Sequence, residues 1–378
     1  PRHPSSMSDM TPISPQILDA GPRGAANLEN MAALSQGSRK TISFFKGDAG
    51  GTPIGSHMVF DFNGEQQSVG MVQTWNQCND MLLTSLDKRQ SVLLMDTETG
   101  ATKSELSLRR QQKNWNLDIE SITPQQKFEQ YRQTNQYTLF GLGDGGHTVF
   151  ALSHDARAGE NVEEMVIRAD SCRKYKSYIF TAHAQTKAGF LALGRTDGAI
   201  ALYDSIMQSE NASCVIDSAA VDSVTSIDVA ADGSMIIWTT AEFVFFTRVN
   251  ARHWSKGTKE PKPAVIKLCM SEADETKFAA ELKCPPPWRP VKFDAATHKD
   301  EHGLYEREII SYFGRLQVRW SVREAMRVWE AHTEDNGQPA LLEGNTADMH
   351  AQVYRHMTVG ADSDIVALEN EIVKSLHF

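Results

Sequence analysis

The sequence predicts an all-β fold, a β-propeller, and a recurring hairpin is the main observation behind this prediction. Two short apolar runs flank a polar turn that is centred on Asp87, Asp144 or Asp197. The three hairpins occupy residues 82–96, 139–152 and 191–204. Two runs of β-forming residues around an Asp/Gly turn predict a hairpin. A hairpin that returns every 45–60 residues or so predicts an array of blades.

Weaker copies of the hairpin extend the array towards the C-terminus. They occupy residues 235–247, 309–320 and 365–376. A short strand and a turn at 224–233 precede the hairpin at 235, which is the order of strands within a propeller blade. Residues 41–62 supply strands for one more blade, so the sequence predicts seven blades.

The domain organisation follows from where the β pattern begins. Residues 1–40 are rich in Pro, Ser, Gly and Met without a period, which predicts a disordered leader or linker. Residues 41–378 form the predicted propeller. We expect a surface connection at 279–299 with a strand at 291–293, and a short helix at 324–330. The chain does not begin with Met, which we interpret as processing or as the C-terminal part of a longer protein.

Composition excludes several classes of partner. The formal net charge is −10, and the one tight basic cluster is Arg173-Lys174-Tyr175-Lys176. A protein that binds a phosphate backbone needs a basic face, so we expect no nucleic-acid partner. The five cysteines are far apart, which favours reduced thiols in the cytoplasm and no disulfide-linked partner. No apolar run approaches the ~18 residues of a membrane span.

Motifs for cofactors, metals and catalysis are weak throughout. Gly141, Gly143 and Gly146 satisfy G-x-G-x-x-G, but strand-forming residues follow instead of the helix that a dinucleotide site needs. The twelve histidines, including His147, His154 and His183, show no ligand spacing, although distant ligands could still converge in a propeller channel. No nucleophile elbow is present. We therefore predict no cofactor, no metal and no catalytic residue.

The remaining candidates are structural turns and partner contacts. Asp87, Asp144 and Asp197 are predicted to build turns, because an Asp side chain there accepts hydrogen bonds from backbone N–H groups. Exposed Trp and Arg are frequent in interface hot spots, and packing in a groove between blades is the equal alternative for Trp254, Trp288 and Arg289. The cluster at 173–176 is a site for an acidic or phosphorylated partner, or else a solvated loop. The candidate partner-binding residues are Arg173, Lys174, Lys176, Trp254, Trp288 and Arg289.

Segment 191–204 resembles a WD repeat in which Tyr203 replaces the tryptophan. More narrowly, collinear segments resemble the C-terminal propeller region of the vacuolar import and degradation protein 27 family over roughly residues 41–378. They include MLLTSLDKRQSVLLMDTETG at 81–100, TLFGLGDGGHTVFALSHDAR at 138–157 and EREIISYFGRLQVRW at 306–320. The resemblance implies a WD-repeat-like propeller and a non-enzymatic cytoplasmic scaffold, linked to the vacuolar degradation of other proteins.

The chain departs from the family pattern at three positions. Ala201 and Ser205 stand where the family has arginines, and Ala156 stands where it has a proline. A ligand of those arginines would be held differently here. The family's N-terminal region, which resembles a pleckstrin-homology fold, has no counterpart in this sequence.

Two alternative functions remain open at this point. An enzyme with a polar site in the propeller channel would bring His and acid, or two acids, to one cavity. A lipid-surface binder would use the basic cluster at 173–176 for membrane contact.

Overall fold

A computed structural model gives the fold of the protein. It describes residues 16–18, 31–36, 41–46 and 53–376, the last range with gaps. The gaps are 62, 76–79, 97–98, 108–116, 125–135, 156–165, 176, 187, 205–210, 219–221, 231, 256, 258–259, 282–286, 296–302, 305, 314–315, 335–339, 349–355, 360–364 and 370–371. Among the described residues, none of the helices has the length and apolar character needed to cross a membrane.

The first described sheet holds β1 Gln16–Leu18, β2 Met31–Gln36, β3 Thr41–Lys46 and β4 Pro53–Met58, in that order. β1 and β2 lie within residues 1–40, the range predicted to be a disordered leader. β2 pairs with β3 antiparallel across residue 40. This pairing satisfies backbone groups that would otherwise be open along one edge of β3, so the sheet does not begin at the predicted boundary.

Three four-stranded meanders follow, each with its strands in chain order. The second sheet holds β5 Val69–Trp75, β6 Asp80–Ser85, β7 Ser91–Asp96 and β8 Thr102–Ser107. The third holds β9 Ile119–Pro124, β10 Gln136–Gly143, β11 Thr148–Asp155 and β12 Val166–Lys174. The fourth holds β13 Phe180–Gln185, β14 Leu191–Arg195, β15 Ile200–Tyr203 and β16 Cys214–Ile216.

The fifth sheet joins two meanders through a parallel pair. Its first half holds β17 Ser226–Val229, β18 Met235–Thr239, β19 Val244–Arg248 and β20 Val265–Met270. Its second half holds β21 Lys292–Ala295, β22 Glu306–Phe313, β23 Leu316–Ser321 and β24 Leu341–Asp348. The outermost strands β20 and β24 pair parallel. The sixth sheet holds β25 His356–Val359, β26 Ile365–Glu369 and β27 Ile372–Leu376.

All six predicted hairpins are present as antiparallel pairs, namely β6–β7, β10–β11, β14–β15, β18–β19, β22–β23 and β26–β27. The first strands of the meanders lie next to one another: β1 contacts β5, β5 contacts β9, β13 contacts β17, and β17 contacts β21. β1 also contacts β25 at the other end of the chain. The all-β propeller prediction is confirmed, and the number of seven blades stays a prediction.

Burial on both faces explains why the strands have continuous apolar runs. In β15, Ile200 and Leu202 belong to the core shared with Trp238 of the fifth sheet. Their neighbours Ala201 and Tyr203 belong instead to the core shared with the third sheet. Because successive side chains point to opposite faces, a blade between two other blades needs apolar residues at every position.

Three helices lie in the connections of the fifth sheet: α1 Ala251–Trp254, α2 Glu272–Glu281 and α3 Val322–Glu334. α3 confirms the helix predicted at 324–330 and is longer at both ends. α2 was not predicted, because its sequence, EADETKFAAE, lacks the apolar stripe that reveals a helix from sequence. The strand predicted at 291–293 is β21, which begins one residue later and extends to Ala295.

Candidate protein-interaction surface

One face of the protein is built from turns and inter-sheet connections. Because neighbouring strands in a meander run in opposite directions, the turn between its second and third strands emerges at the same end as the connection to the next sheet. We call the surface formed by these segments the turn face. It includes residues 86–90, 144–147, 175, 177–179, 196–199 and 240–243.

A repeated backbone hydrogen bond holds the turn face together. In each case, the amide at the start of one meander donates to a carbonyl in or next to the preceding meander's turn. The pairs are Ile119 N to Arg89 O at 2.8 Å, Phe180 N to Gly146 O at 2.9 Å, and Val224 N to Arg195 O at 3.1 Å. The second to fifth sheets are therefore fixed to one another by their turns as well as by their cores.

The three predicted turn aspartates lie on this face and accept backbone hydrogen bonds. The Asp87 carboxylate accepts the Ser68 N–H at 2.6 Å. Asp144 accepts the Asp118 N–H at 3.1 Å and the Thr148 hydroxyl at 2.9 Å. Among the described residues, Asp197 contacts its own turn, through the Ala199 N–H at 3.3 Å and the Arg195 guanidinium. These contacts support the turn-building role, which remains a prediction.

The glycines of the G-x-G-x-x-G pattern serve close packing. Gly143 ends β10, and β11 begins two residues after Gly146, so no helix follows. Gly146 has a φ of +79°, and a Cβ at this position would lie 2.0 Å from the Phe180 carbonyl oxygen. Only glycine allows the third and fourth sheets to approach this closely. The segment is a turn, as predicted.

The basic cluster lies close in sequence to an exposed aromatic residue, Tyr178. Lys174 ends β12 with 71% of its side chain exposed, and its ammonium is 3.9 Å from Asp144. Four residues later, Tyr178 is 39% exposed and lies under the Arg195 guanidinium, 4.0 Å from its ring centroid. Arg173 is partly exposed. Lys176 is outside the described residues.

The two candidate tryptophans are buried. Trp254 in α1 is 1% exposed, stacks on Phe190 and donates its indole N–H to the Gly233 carbonyl at 2.9 Å. Trp288 is 7% exposed and packs against Phe313 and Trp320. Both indoles have almost no exposed surface that a partner could contact. The structure therefore favours the alternative in which both tryptophans pack in the interior.

Arg289 differs from its neighbour Trp288 because it is partly exposed. Its backbone N–H donates to the Tyr312 carbonyl at 2.9 Å, and its own carbonyl accepts the Ser311 hydroxyl at 2.7 Å. The backbone is therefore fixed, and the residue as a whole is half-buried. Arg289 keeps its place among the candidate partner contacts.

Exposed apolar side chains on the turn face were missed by the sequence interpretation. The large exposed hydrophobic residues of the described chain are Met58, Phe60, Leu86, Tyr178, Ile179 and Leu341. Leu86, Tyr178 and Ile179 lie in turn-face segments. Alternation gives no sign of this exposure, because it cannot show which residue of a short connection such as 175–179 faces outwards.

The inner strands carry a second polar group of residues. Ser121 Oγ of β9 is 2.9 Å from His183 Nε2 of β13. Lys292 Nζ of β21 is 3.8 Å from Asp228 Oδ1 of β17. Burial, together with the positive charge of Lys292, lowers the pKa of His183 to about 4. His183 is therefore neutral at pH 7.

Metal-binding geometry is absent from the part of the chain that the structure describes, where no three His, Cys, Asp or Glu residues group to hold an ion. His147 lies in the turn after β10, and His183 lies on an inner strand, so the two do not share a site. The side chain of His154 is outside the described residues. Cys214 and Cys269 are free thiols, and burial raises the pKa of each.

The fold and the turn face together define a WD40-like β-propeller, a class whose members present loops on a rigid ring of blades. A family model described as the VID27 C-terminal WD40-like domain matches residues 57–375. The chain belongs to this family.

Two curated relatives carry the name "Vacuolar import and degradation protein 27". The protein from Schizosaccharomyces pombe is 24% identical over 262 residues, which are 67% of this chain and 30% of that protein. The protein from Saccharomyces cerevisiae is 23% identical over 302 residues, which are 78% of this chain and 35% of that protein. The chain thus spans about a third of the length of these relatives.

Two solved structures show the same fold. The β-propeller domain of Cps50 (Swd1) from Myceliophteria thermophila is 9% identical with a TM-score of 0.53, covering 92% of this chain and 93% of that one. A chain of the mitotic checkpoint complex is 11% identical with a TM-score of 0.54, covering 100% of this chain and 96% of that one. At such identities the likeness concerns the fold alone.

Proposed function

We propose that this chain is a non-catalytic protein-interaction scaffold of the cytoplasm that takes part in delivering proteins for vacuolar degradation. The family and the printed name of both curated relatives support the link to vacuolar import and degradation. One of the similar folds belongs to a chain of a multiprotein complex, the mitotic checkpoint complex. A scaffold needs a rigid surface with exposed apolar groups, and the turn face has both.

The observation that carries the proposal is the position of the exposed apolar side chains. Leu86, Tyr178 and Ile179 belong to segments held by backbone hydrogen bonds to neighbouring turns or connections. Exposed apolar side chains on a fixed surface can be covered by a partner, and Tyr178 and Ile179 are adjacent in the chain. Because the segments are already fixed, little conformational freedom is lost when a partner binds. Arg173, Lys174, Lys176 and Arg289 are the proposed polar contacts.

An enzyme with a polar site in the channel is the second candidate, since Ser121 and His183 form the hydrogen bond that activates a serine nucleophile. The electrostatics disfavour this role. A general base works best with a pKa near the working pH, and His183 has a pKa of about 4. Proton transfer would also place an imidazolium in the field of Lys292. The scaffold is therefore the better-supported function.

Affinity capture with matched variants tests the scaffold. The tagged chain is expressed in its own cells as wild type, as Leu86→Ala/Ile179→Ala on the turn face, and as Leu341→Ala elsewhere. All three changes remove exposed side chains and should preserve the fold. We expect specific protein partners to be captured by wild type and Leu341→Ala and lost from the double variant.

Two results would contradict the proposal. One is equal capture by the double variant and the wild type. The other is capture of no specific protein, together with turnover of a small molecule that Ser121→Ala abolishes, which would favour the enzyme.

A further inference from the structure

We propose that residues Lys174, Tyr178, Ile179 and Arg195 form a docking patch for a short acidic peptide segment with an apolar anchor residue. The inference rests on the proposed scaffold function and names the chemistry of the partner at one part of the turn face. We call these four residues the basic–aromatic patch.

Backbone hydrogen bonds bring the patch together from separate segments. The connection 175–179 is tied at both ends to the turn at 144–147, through Tyr175 N to His147 O at 2.7 Å and Phe180 N to Gly146 O at 2.9 Å. A third bond, from Thr196 N to Ile179 O at 3.1 Å, ties it to the next turn. Lys174, Tyr178 and Arg195 therefore lie on one continuous surface.

Two aromatic side chains flank Tyr178 and Ile179 and are buried. Tyr175 and Phe180 are 4% and 1% exposed and meet edge to face at 5.0 Å. Tyr178 and Ile179, between them, are 39% and 37% exposed. The anchors hold the backbone on both sides of Tyr178 and Ile179, and each of these two residues leaves more than a third of its surface exposed. They are rigidly presented apolar groups, the kind that forms the centre of an interface.

The basic residues near the patch favour an acidic partner. Residues 173–179 contain three Lys or Arg and no Asp or Glu, in a chain with a net charge of −10. The Lys174 ammonium is mostly exposed and lies 3.9 Å from the Asp144 carboxylate. The Arg195 side chain is 15% exposed, pairs with Asp197 and covers the face of Tyr178. The basic residues Arg173, Lys174, Lys176 and Arg195 outnumber these two acids. An acidic segment would gain charge-assisted contacts here, whereas a basic segment would be repelled.

The shape of the charge pattern favours a narrow ligand over a broad anionic one. The rest of the turn face carries exposed or half-exposed acids, including Asp87, Asp118 and Glu242. A membrane or a nucleic acid covers a wide area and would meet these carboxylates together with the basic groups. A peptide touches only the patch, and its apolar residue makes use of Tyr178 and Ile179.

Fluorescence anisotropy with designed peptides tests the patch. The probe is a labelled twelve-residue peptide of Glu and Asp with one central Phe. Controls replace Phe with Ala, or the acids with Lys. We expect saturable binding of the acidic Phe peptide that weakens at least fivefold when salt rises from 50 to 300 mM. We expect a further loss on Phe→Ala replacement and no binding of the Lys peptide.

Variants of the chain locate the binding. Lys174→Glu should weaken binding about tenfold or more, and Tyr178→Ala at least fivefold. Lys262→Glu, a charge reversal at an exposed lysine in the β19–β20 connection on the opposite face, should bind as wild type does. All three positions are exposed, so thermal unfolding curves should coincide and confirm that each variant is folded.

Vesicle binding and affinity capture distinguish a failure of the acidic-peptide proposal from a failure of the scaffold proposal. Absence of peptide binding, or binding unaffected by Lys174→Glu, would overturn the acidic-peptide proposal. The proposal would also be overturned if the chain bound phosphatidylserine vesicles instead of the peptide and Lys174→Glu abolished that binding. If capture of proteins is still lost from the Leu86→Ala/Ile179→Ala variant in either case, the scaffold function stands and only the partner chemistry is wrong.

Discussion

At the scale of single residues, the turn face depends on positions where backbone and side chain have few alternatives. Asp144 has a φ of 55°, in the left-handed region that aspartate tolerates better than most residues. Its carboxylate spans two segments, whereas that of Asp197 stays within its own turn. Residues that look equivalent in the repeat therefore differ in what they connect. The difference depends on neighbours far away in sequence and could not be predicted from the turn itself.

Gly146→Ala should be among the most destabilising small changes on this face. The new Cβ would meet the Phe180 carbonyl oxygen at 2.0 Å, and alanine is strained at a φ of +79°. Strain and overpacking together predict a loss of about 2–4 kcal/mol in the free energy of unfolding. Urea titration followed by tryptophan fluorescence measures it.

Gly145→Ala is the matched control. This glycine also has a positive φ, of +68°, but no atom lies within 4 Å of a Cβ built on it. Strain alone predicts a loss of about 1 kcal/mol. Equal losses in the two variants would show that the close contact between the third and fourth sheets does not matter for stability.

At the scale of elements, the inner strands are linked by side chains as well as by packing. Ser121 and His183 join β9 to β13, and the Asp228 carboxylate accepts the Phe293 N–H of β21 at 2.9 Å. The first bond joins the third sheet to the fourth, and the second joins the two edge strands of the fifth sheet. The twelve histidines in the sequence gave no reason to single out His183, because its neighbour Ser121 is 62 residues away.

The pH dependence of stability should report on His183. The folded chain holds it neutral, with a pKa of about 4, while an unfolded histidine titrates near 6.5. Below pH 6.5 the unfolded state binds the proton and the folded state does not. Stability is therefore lost as pH falls from 6.5 towards 4 and levels off below that.

His183→Gln should remove this contribution, because glutamine can still bond to Ser121 but does not titrate in this range. Between pH 8 and pH 5, the wild type should lose about 2 kcal/mol more than the variant in the free energy of unfolding. The comparison at pH 8 gives the cost of the substitution itself. Identical pH profiles would mean that the imidazole is not held neutral by its surroundings.

At the scale of the whole molecule, the sequence predicted the fold better than the surface. Hairpins such as 191–204 are local, and their apolar runs and Asp/Gly turns follow from short-range chemistry. The propeller class follows from their repetition. The burial of Trp254 and Trp288 could not be predicted in this way, because both fill spaces made by segments distant in sequence, such as Phe190 for Trp254 and Trp320 for Trp288.

The same limit explains the two elements that differ most from expectation. β2 lies in a stretch with few strand-forming residues and exists as a partner for the edge of β3. α2 has no apolar face from which a helix could be predicted. Local sequence predicts elements that stabilise themselves, whereas elements determined by a neighbour become visible only in the assembled fold.

The central claim is that the turn face binds partners, and hydrogen–deuterium exchange on the captured complex tests it most directly. Exchange is compared between the free chain and the complex recovered by affinity capture. We predict slower exchange at residues 86–90, 144–147, 175–179 and 196–199 in the complex, with the β19–β20 connection unchanged. Protection confined to 255–264, on the opposite face, with no change in the turns, would contradict the account.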